Sequence, residues 1–187
     1  VISKENQKDL AKVIELAKSL DLSDHFFDLI RGEHQGIMNL PNIKELKRIN
    51  TLRYNARKYY NAKKHKSFLK RIFTNLRDRH IIITQTEVLE GKKWPFKCTA
   101  GKTDLILESD GTLRICELTP KIGNIINNSP EKLLNSKISK NILNNIINHR
   151  CDCTHICNVS TSMDYSFKDI LFNRILVDTL KTPVYFK

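Results

Sequence analysis

Two periods of apolar and polar positions run along this chain, and the change from one to the other divides it. In "SKENQKDLAKVIELAKSLDL" (3–22), Leu10, Val13, Ile14 and Leu16–Ala17 fall at helical spacing. The run "HFFDLIRG" (25–32) is short, aromatic and β-branched and stops at Gly32, which predicts a strand. Val1–Ile2, this helix and this strand together predict the end of a β–α–β unit, with an isolated helix and strand of an α+β fold as the alternative. Residues 33–40 are predicted loop. From Asn42 to Arg79 there is neither glycine nor proline. Leu46, Ile49, Leu52, Ala56 and Tyr59 share one helical face, as do Phe68–Leu69, Ile72–Phe73 and Leu76. Two helices are expected here, or one long helix broken near Ala62–His65. "IIITQTEVL" (81–89) fits either state: its β-branched residues favour a strand, its position favours continued helix.

"GKKWPF" (91–96) marks a boundary, and beyond it the period shortens. "DLILE" and "TLRIC" alternate and are joined by "SDG", which predicts a β-hairpin with an Asp-Gly turn. Ser129 stands at an N-cap position and Pro130 at the first helical position of the next segment. Leu134, Ile138, Ile142 and Ile146 then recur at steps of four, so a helix over 130–149 delivers the chain to Cys151. "FKDILFNRILVDTL" (167–180) is also helical by period. The fold class expected is α/β, turning to α+β at the C-terminus.

Composition narrows the class of partner without choosing one. The 187 residues suit one or two compact domains, and 40% of them are apolar. A formal charge of +12 directs attention to nucleic acid, anionic substrates or acidic protein surfaces. The start, "VISKENQKDL", lacks a signal peptide's apolar stretch, so a cytoplasmic protein with reduced thiols and no membrane partner is expected. The absence of an initiator Met and the strand-like "VIS" lead us to expect a piece of a longer protein.

Of the five cysteines, three crowd into "CDCTHIC" (151–157) and two, Cys98 and Cys116, flank the predicted hairpin. Hairpin pairing can bring Cys98 and Cys116 together, and the helix at 130–149 returns Cys151, Cys153 and Cys157 toward them. That gathers enough thiolates for a four-ligand site. Four cysteines hold iron–sulfur clusters, and four cysteines or mixed Cys and His sets hold structural zinc, for which His149 and His155 are further candidates. Spacing alone leaves both metals open. Buried free cysteines acting as small hydrophobes would account for Cys98 and Cys116 taken singly, though not for C-x-C-x3-C.

"CTAGKTDLILESDGTLRIC" (98–116) reads as Cys, twelve residues, Gly, four residues, Cys. This resembles the opening signature of the SPASM and twitch extensions at the C-terminus of radical S-adenosylmethionine (radical SAM) enzymes. "CELTPKIGNI" (116–125) is similar to the continuation, in which a Gly-Asn pair leads into a helix, and "CDCTHIC" resembles the cysteine-rich close. "VISKEN…HFFDLIRG" resembles, more faintly, the last helix and strand of the radical SAM partial barrel. The main likeness covers about residues 94–157. It implies three parts: 1–36 ending the barrel, 37–90 a basic helical connector, and 91–187 an auxiliary-cluster domain.

The resemblance implies one auxiliary 4Fe-4S cluster, in the one-cluster twitch-like form. Cys98, Cys116, Cys153 and Cys157 are the expected ligands, with Cys151 a neighbour or substitute, because the three residues between Cys153 and Cys157 allow a turn reaching two irons. The resemblance further implies that S-adenosylmethionine and a peptide or small-molecule substrate are handled with the missing N-terminal core. The C-x3-C-x2-C loop that such chemistry requires does not occur here, so this chain alone is expected not to cleave S-adenosylmethionine.

Other residues carry weaker expectations. Arg31, at the end of the predicted strand, and Asn6, just past the preceding one, are candidates for S-adenosylmethionine contact or for ordinary loop structure. Trp94 either shields the cluster or simply packs. "RYNARKYYNAKKHKSFLKR" (53–71) could bind nucleic acid with basic side chains on phosphate and aromatics under bases, but helical spacing favours aromatics facing a core and charges facing water. A non-catalytic zinc module and a nucleic-acid-binding fragment are the two competing functions.

Overall fold

The computed structural model describes residues 1–30, 40–148, 153–166 and 180–186. Helix α1 (Leu10–Ser19) buries Leu10, Ile14 and Ala17 against Phe27, Leu29 and the later residues Ile49 and Ala56. Ile2 and Leu29 form a parallel bridge, with Ile2 N donating to Asp28 O at 2.7 Å and Ile30 N to Ile2 O at 2.9 Å. The parallel connection across α1 is therefore present, but as one bridge. Of the strand expected over 25–32, the described part, 25–30, pairs only at Leu29, because its other carbonyls are taken: Phe27 O accepts from Arg53 Nε at 2.7 Å and His25 O from an Arg57 guanidinium nitrogen at 2.7 Å. The loop expected over 33–40 lies almost wholly outside the described residues.

Helices α2 (Ile43–Lys64) and α3 (Phe68–Leu89) are separated at 65–67, close to the break expected from the sequence. Ser67 caps α3, its Oγ accepting from Lys70 N. The pairs Asn61–Asn75, Arg57–Asp78 and Asn50–Thr86 set the two helices antiparallel. Segment 81–89 is helical. Its Ile81–Ile83 run would suit a strand, yet His80 to Glu87 are buried on every side. A helix enclosed by neighbours on all faces needs no polar stripe, and tertiary packing overrides propensity. Two predicted faces need correction. Tyr60 is buried in place of Tyr59, and Phe68, Leu69, Ile72 and Phe73 are turned to solvent.

The predicted hairpin forms from β1 (Ile106–Leu107) and β2 (Thr112–Arg114), pairing Ile106 with Arg114 and Leu107 with Leu113. Gly111, at φ +83°, closes the turn by donating to Glu108 O. A third strand, β3 (Lys121–Asn124), pairs antiparallel with β2, so the sheet order is β1-β2-β3. This strand is not among the expected elements, because four residues with a central glycine carry almost no alternating signal. Among the described residues the architecture is thus helices with one small antiparallel sheet.

Ser129 caps the next helix as expected, but the helix predicted over 130–149 is split into α4 (Pro130–Leu134) and α5 (Lys137–Ile147). Ser136 starts the second piece by accepting from Ser139 N. The restart turns the face: Leu133, Ser139, Ile142 and Ile146 are buried, while Ile138 is exposed. Leu133 closes on Gly123, where an added Cβ would fall 2.4 Å from its Cδ2. Helix α6 (Ile156–Asp164) packs on α3, and a last turn (Thr182–Tyr185) seats Tyr185 and Phe186 against Tyr54, Ile82 and Ile83. The helix expected over 167–180 lies outside the described residues except for Leu180. No described helix is long and apolar enough to cross a membrane.

Candidate cysteine site

Three elements deliver the described cysteines. Cys98 follows Trp94 and Phe96, Cys116 lies two residues past β2, and Cys153 and Cys157 bracket the start of α6. Cys116 is buried with Ala100, Leu113, Ile115, Ile142 and Ile146. Cys153 is buried with Ile81, Trp94, Phe96, Val159 and Met163. Cys98 packs against both groups and is the seam between them. Cys98 thus links the group that holds Cys116 to the group that holds Cys153, which are separate clusters. Cys157 is exposed, in the first turn of α6. Cys151 and His149 lie outside the described residues.

One face of α6 addresses two of the sulfurs. Asn158 Nδ2 donates to Cys116 Sγ at 3.3 Å. One turn on, Ser162 Oγ accepts from Thr99 N at 3.0 Å, which frees its hydrogen for the Cys98 sulfur it also contacts. Burial pushes the Cys98 thiol up, and the neighbouring Cys116 adds to this; the Ala100 N–H and the Ser162 hydroxyl pull it back. Neither Asn158 nor Ser162 is among the residues singled out from the sequence. Their i, i+4 spacing immediately after Cys157 was the available signal.

The loop carrying Cys153 is clamped from behind. Trp94 Nε1 donates to Cys153 O at 2.9 Å, and Gln85 Nε2 donates to Thr154 O at 2.6 Å. Gln85 also donates to Asp28 and accepts from the fully buried Arg53, tying this loop to the α2–α3 hairpin. Burial pushes the Arg53 guanidinium down to about 10, partly offset by Asp28, so it stays charged at neutral pH. His155 is buried with Nδ1 3.3 Å from Glu117 Oε2, the residue after Cys116.

Arg31 lies outside the described residues. Asn6 pins the start of the chain, its Oδ1 accepting from Ser3 N at 2.8 Å and its Nδ2 donating to Val1 O at 2.9 Å. The basic stretch 53–71 departs from the amphipathic expectation. Arg53 and Arg57 face inward, Arg57 bonding Asp78, Asp24 and Asn61. Side chains so engaged are not available to a phosphate backbone.

Comparison with known proteins finds no match among family models, curated proteins or solved structures. Among the described residues, no three His, Cys, Asp or Glu side chains form a group able to hold a metal ion. In kind, the donors suit an iron–sulfur cluster: the thiols are soft, come from separate segments, and two of them already receive polar hydrogens of the sort that stabilise cluster-bound sulfur.

Proposed function

We propose that this chain is the auxiliary-cluster part of a radical SAM enzyme, with Cys98, Cys116, Cys153 and Cys157 as the ligands of one 4Fe-4S cluster and Cys151 as the reserve. The observation that supports it is the position of Cys98, which packs against both the cluster that holds Cys116 and the cluster that holds Cys153. The C-x12-G-x4-C spacing of 98–116 adds to it. A bound cluster would supply one-electron transfer to or from a substrate radical, or an iron that helps seat substrate.

The chain's own part is to position and to dry the site. Asn158 and Ser162 would orient the Cys116 and Cys98 sulfurs. Trp94 and Gln85 would hold the Cys153 loop against α3, and Phe96, Val159 and Met163 would exclude water. Val1–Leu29, with its single parallel bridge, would then be the last piece of the partial barrel.

Anaerobic reconstitution tests this reading. About four irons and four sulfides per chain are expected. Cys98→Ala, Cys116→Ala, Cys153→Ala and Cys157→Ala should each lose most of the iron, while Cys151→Ala keeps it. The isolated chain should form no 5′-deoxyadenosine from S-adenosylmethionine under strong reductant. Stoichiometric zinc without iron uptake would replace this function with the zinc module.

A further inference from the structure

The first half of α3 is inside out. At about 100° per residue, Phe68, Leu69, Ile72, Phe73 and Leu76 span an arc of about 140°. Most of that arc faces solvent: Phe68, Leu69 and Phe73 are 65%, 66% and 59% exposed, Ile72 is exposed, and Leu76 is half-buried. The side turned into α2 carries polar residues, Asn75 at the edge of the arc and Asp78 across from it. A helix that only stabilised the fold would be arranged the other way round. The apolar arc is continuous over two turns, unlike the scattered exposed apolar residues of ordinary surfaces.

Its charge surroundings are equally one-sided. No Asp or Glu occurs between Glu45 and Asp78. Lys63, Lys64 and Arg77 are matched by Asp21, Asp24 and Asp164. Lys66, Lys70 and Arg71 have no carboxylate partner among the described residues; Lys70 and Arg71 bracket the arc on either side, Arg71 lying over the Phe68 ring. We propose that this face of α3 docks an acidic amphipathic helix of a partner protein, its apolar stripe on Leu69, Ile72 and Phe73 and its carboxylates on Lys66, Lys70 and Arg71. The 69, 72, 76 spacing is that of a helix–helix seam. A second copy of this chain would set like charges against each other. Of the ring faces that a nucleic acid would stack on, that of Phe68 already carries Arg71, and Leu69 and Ile72 between them offer neither rings nor donors; a single short patch gives a bilayer only marginal hold.

The test uses the whole chain and a fluorescein-labelled synthetic helix of about 18 residues, roughly five turns, with a leucine stripe flanked by glutamates. Saturable binding is expected, weakened at least about fivefold by Leu69→Ser/Phe73→Ser and by Lys70→Glu/Arg71→Glu, as for contacts at the centre of an interface. Neither variant should move the thermal midpoint, since these side chains contact solvent. Four results would overturn the proposal. The first is binding insensitive to Leu69→Ser/Phe73→Ser, which is bare charge attraction. The second is tighter stripe-dependent binding to phosphatidylserine vesicles or to a single-stranded oligonucleotide than to the peptide. The third is a stripe-dependent dimer of the chain in sedimentation. The last is a lowered midpoint in Leu69→Ser/Phe73→Ser, which would mean that the face is already covered by the chain itself.

Discussion

The α2–α3 hairpin and the cysteine region from Trp94 to Asp164 are held by opposite means. The hairpin buries ions. Arg57 and Asp78 bond inside it at 2.8 Å, with Asn61 completing the carboxylate's partners, and Arg53 lies beneath at 1% exposure. The cysteine region buries thiols among apolar side chains, Cys116 between the sheet and α4–α5 and Cys153 between α3 and α6, and its loops are fixed by single hydrogen bonds. A buried ion pair specifies one register and tolerates little change, because removing one partner strands the other. A thiol packs as a hydrophobe while free and becomes a ligand when ionised, so a region built from thiols keeps a fold and a reactivity in the same side chains.

The comparison breaks most sharply at Asp78. Asp78→Ala leaves Arg57 buried without its inner partner and should cost about 3–5 kcal/mol, read as a lowered urea midpoint. If the loss is under about 1 kcal/mol, as for a surface pair, the hairpin is not held by its buried charge. In the cysteine region the largest effect should come from a glycine. Gly101 sits at φ +80°, and a Cβ there would fall 2.6 Å from Leu143 Cδ2 and 2.7 Å from Ile115 Cγ2. Gly101→Ala should cost about 2–3 kcal/mol by thermal denaturation, combining left-handed backbone strain with overpacking.

Trp94→Phe keeps the ring contact with Phe96 but removes the donor to Cys153 O. About 1–2 kcal/mol is expected, with faster amide exchange confined to the loop before α6. The smallest effect sharpens the comparison without disturbing the fold. Because the Cys98 thiol is held above its ordinary range, its alkylation should rise with pH later than for a free thiol. The Ser162 hydroxyl lowers that value, so Ser162→Ala should displace the alkylation profile further toward high pH. A profile that moves down, or not at all, would show that Ser162 does not reach the sulfur.

The sequence made the two long helices, their break, the Asp-Gly hairpin and the Ser129 cap legible, because each rests on local signals. What it hid depended on contacts between segments. Arginines from α2 take the carbonyls at 25 and 27, so a run with strand composition pairs only at Leu29. A second cap at Ser136 cut a stripe that looked continuous. Hairpin pairing pointed to Cys98 and Cys116 as neighbours, while the packing of Cys153 against Ile81, Trp94 and Phe96 depends on contacts that no local signal carries. Asn158, Ser162 and Gln85 escaped notice because polar residues on a helix ordinarily face water, and only packing shows which ones face a sulfur or a carbonyl.

The chain contains a single tryptophan. Its indole is buried, tilted against Phe96, and bonded to the main chain of Cys153. The molecule therefore carries its own optical gauge beside the proposed cysteine site. Indole emission excited in the near ultraviolet comes from the cysteine loop and nowhere else, so a coloured metal group arriving there should dim it by energy transfer, and a loosened loop should redden it. One cuvette can then follow both the loading of the thiols and the integrity of the loop that bears them, without an added label.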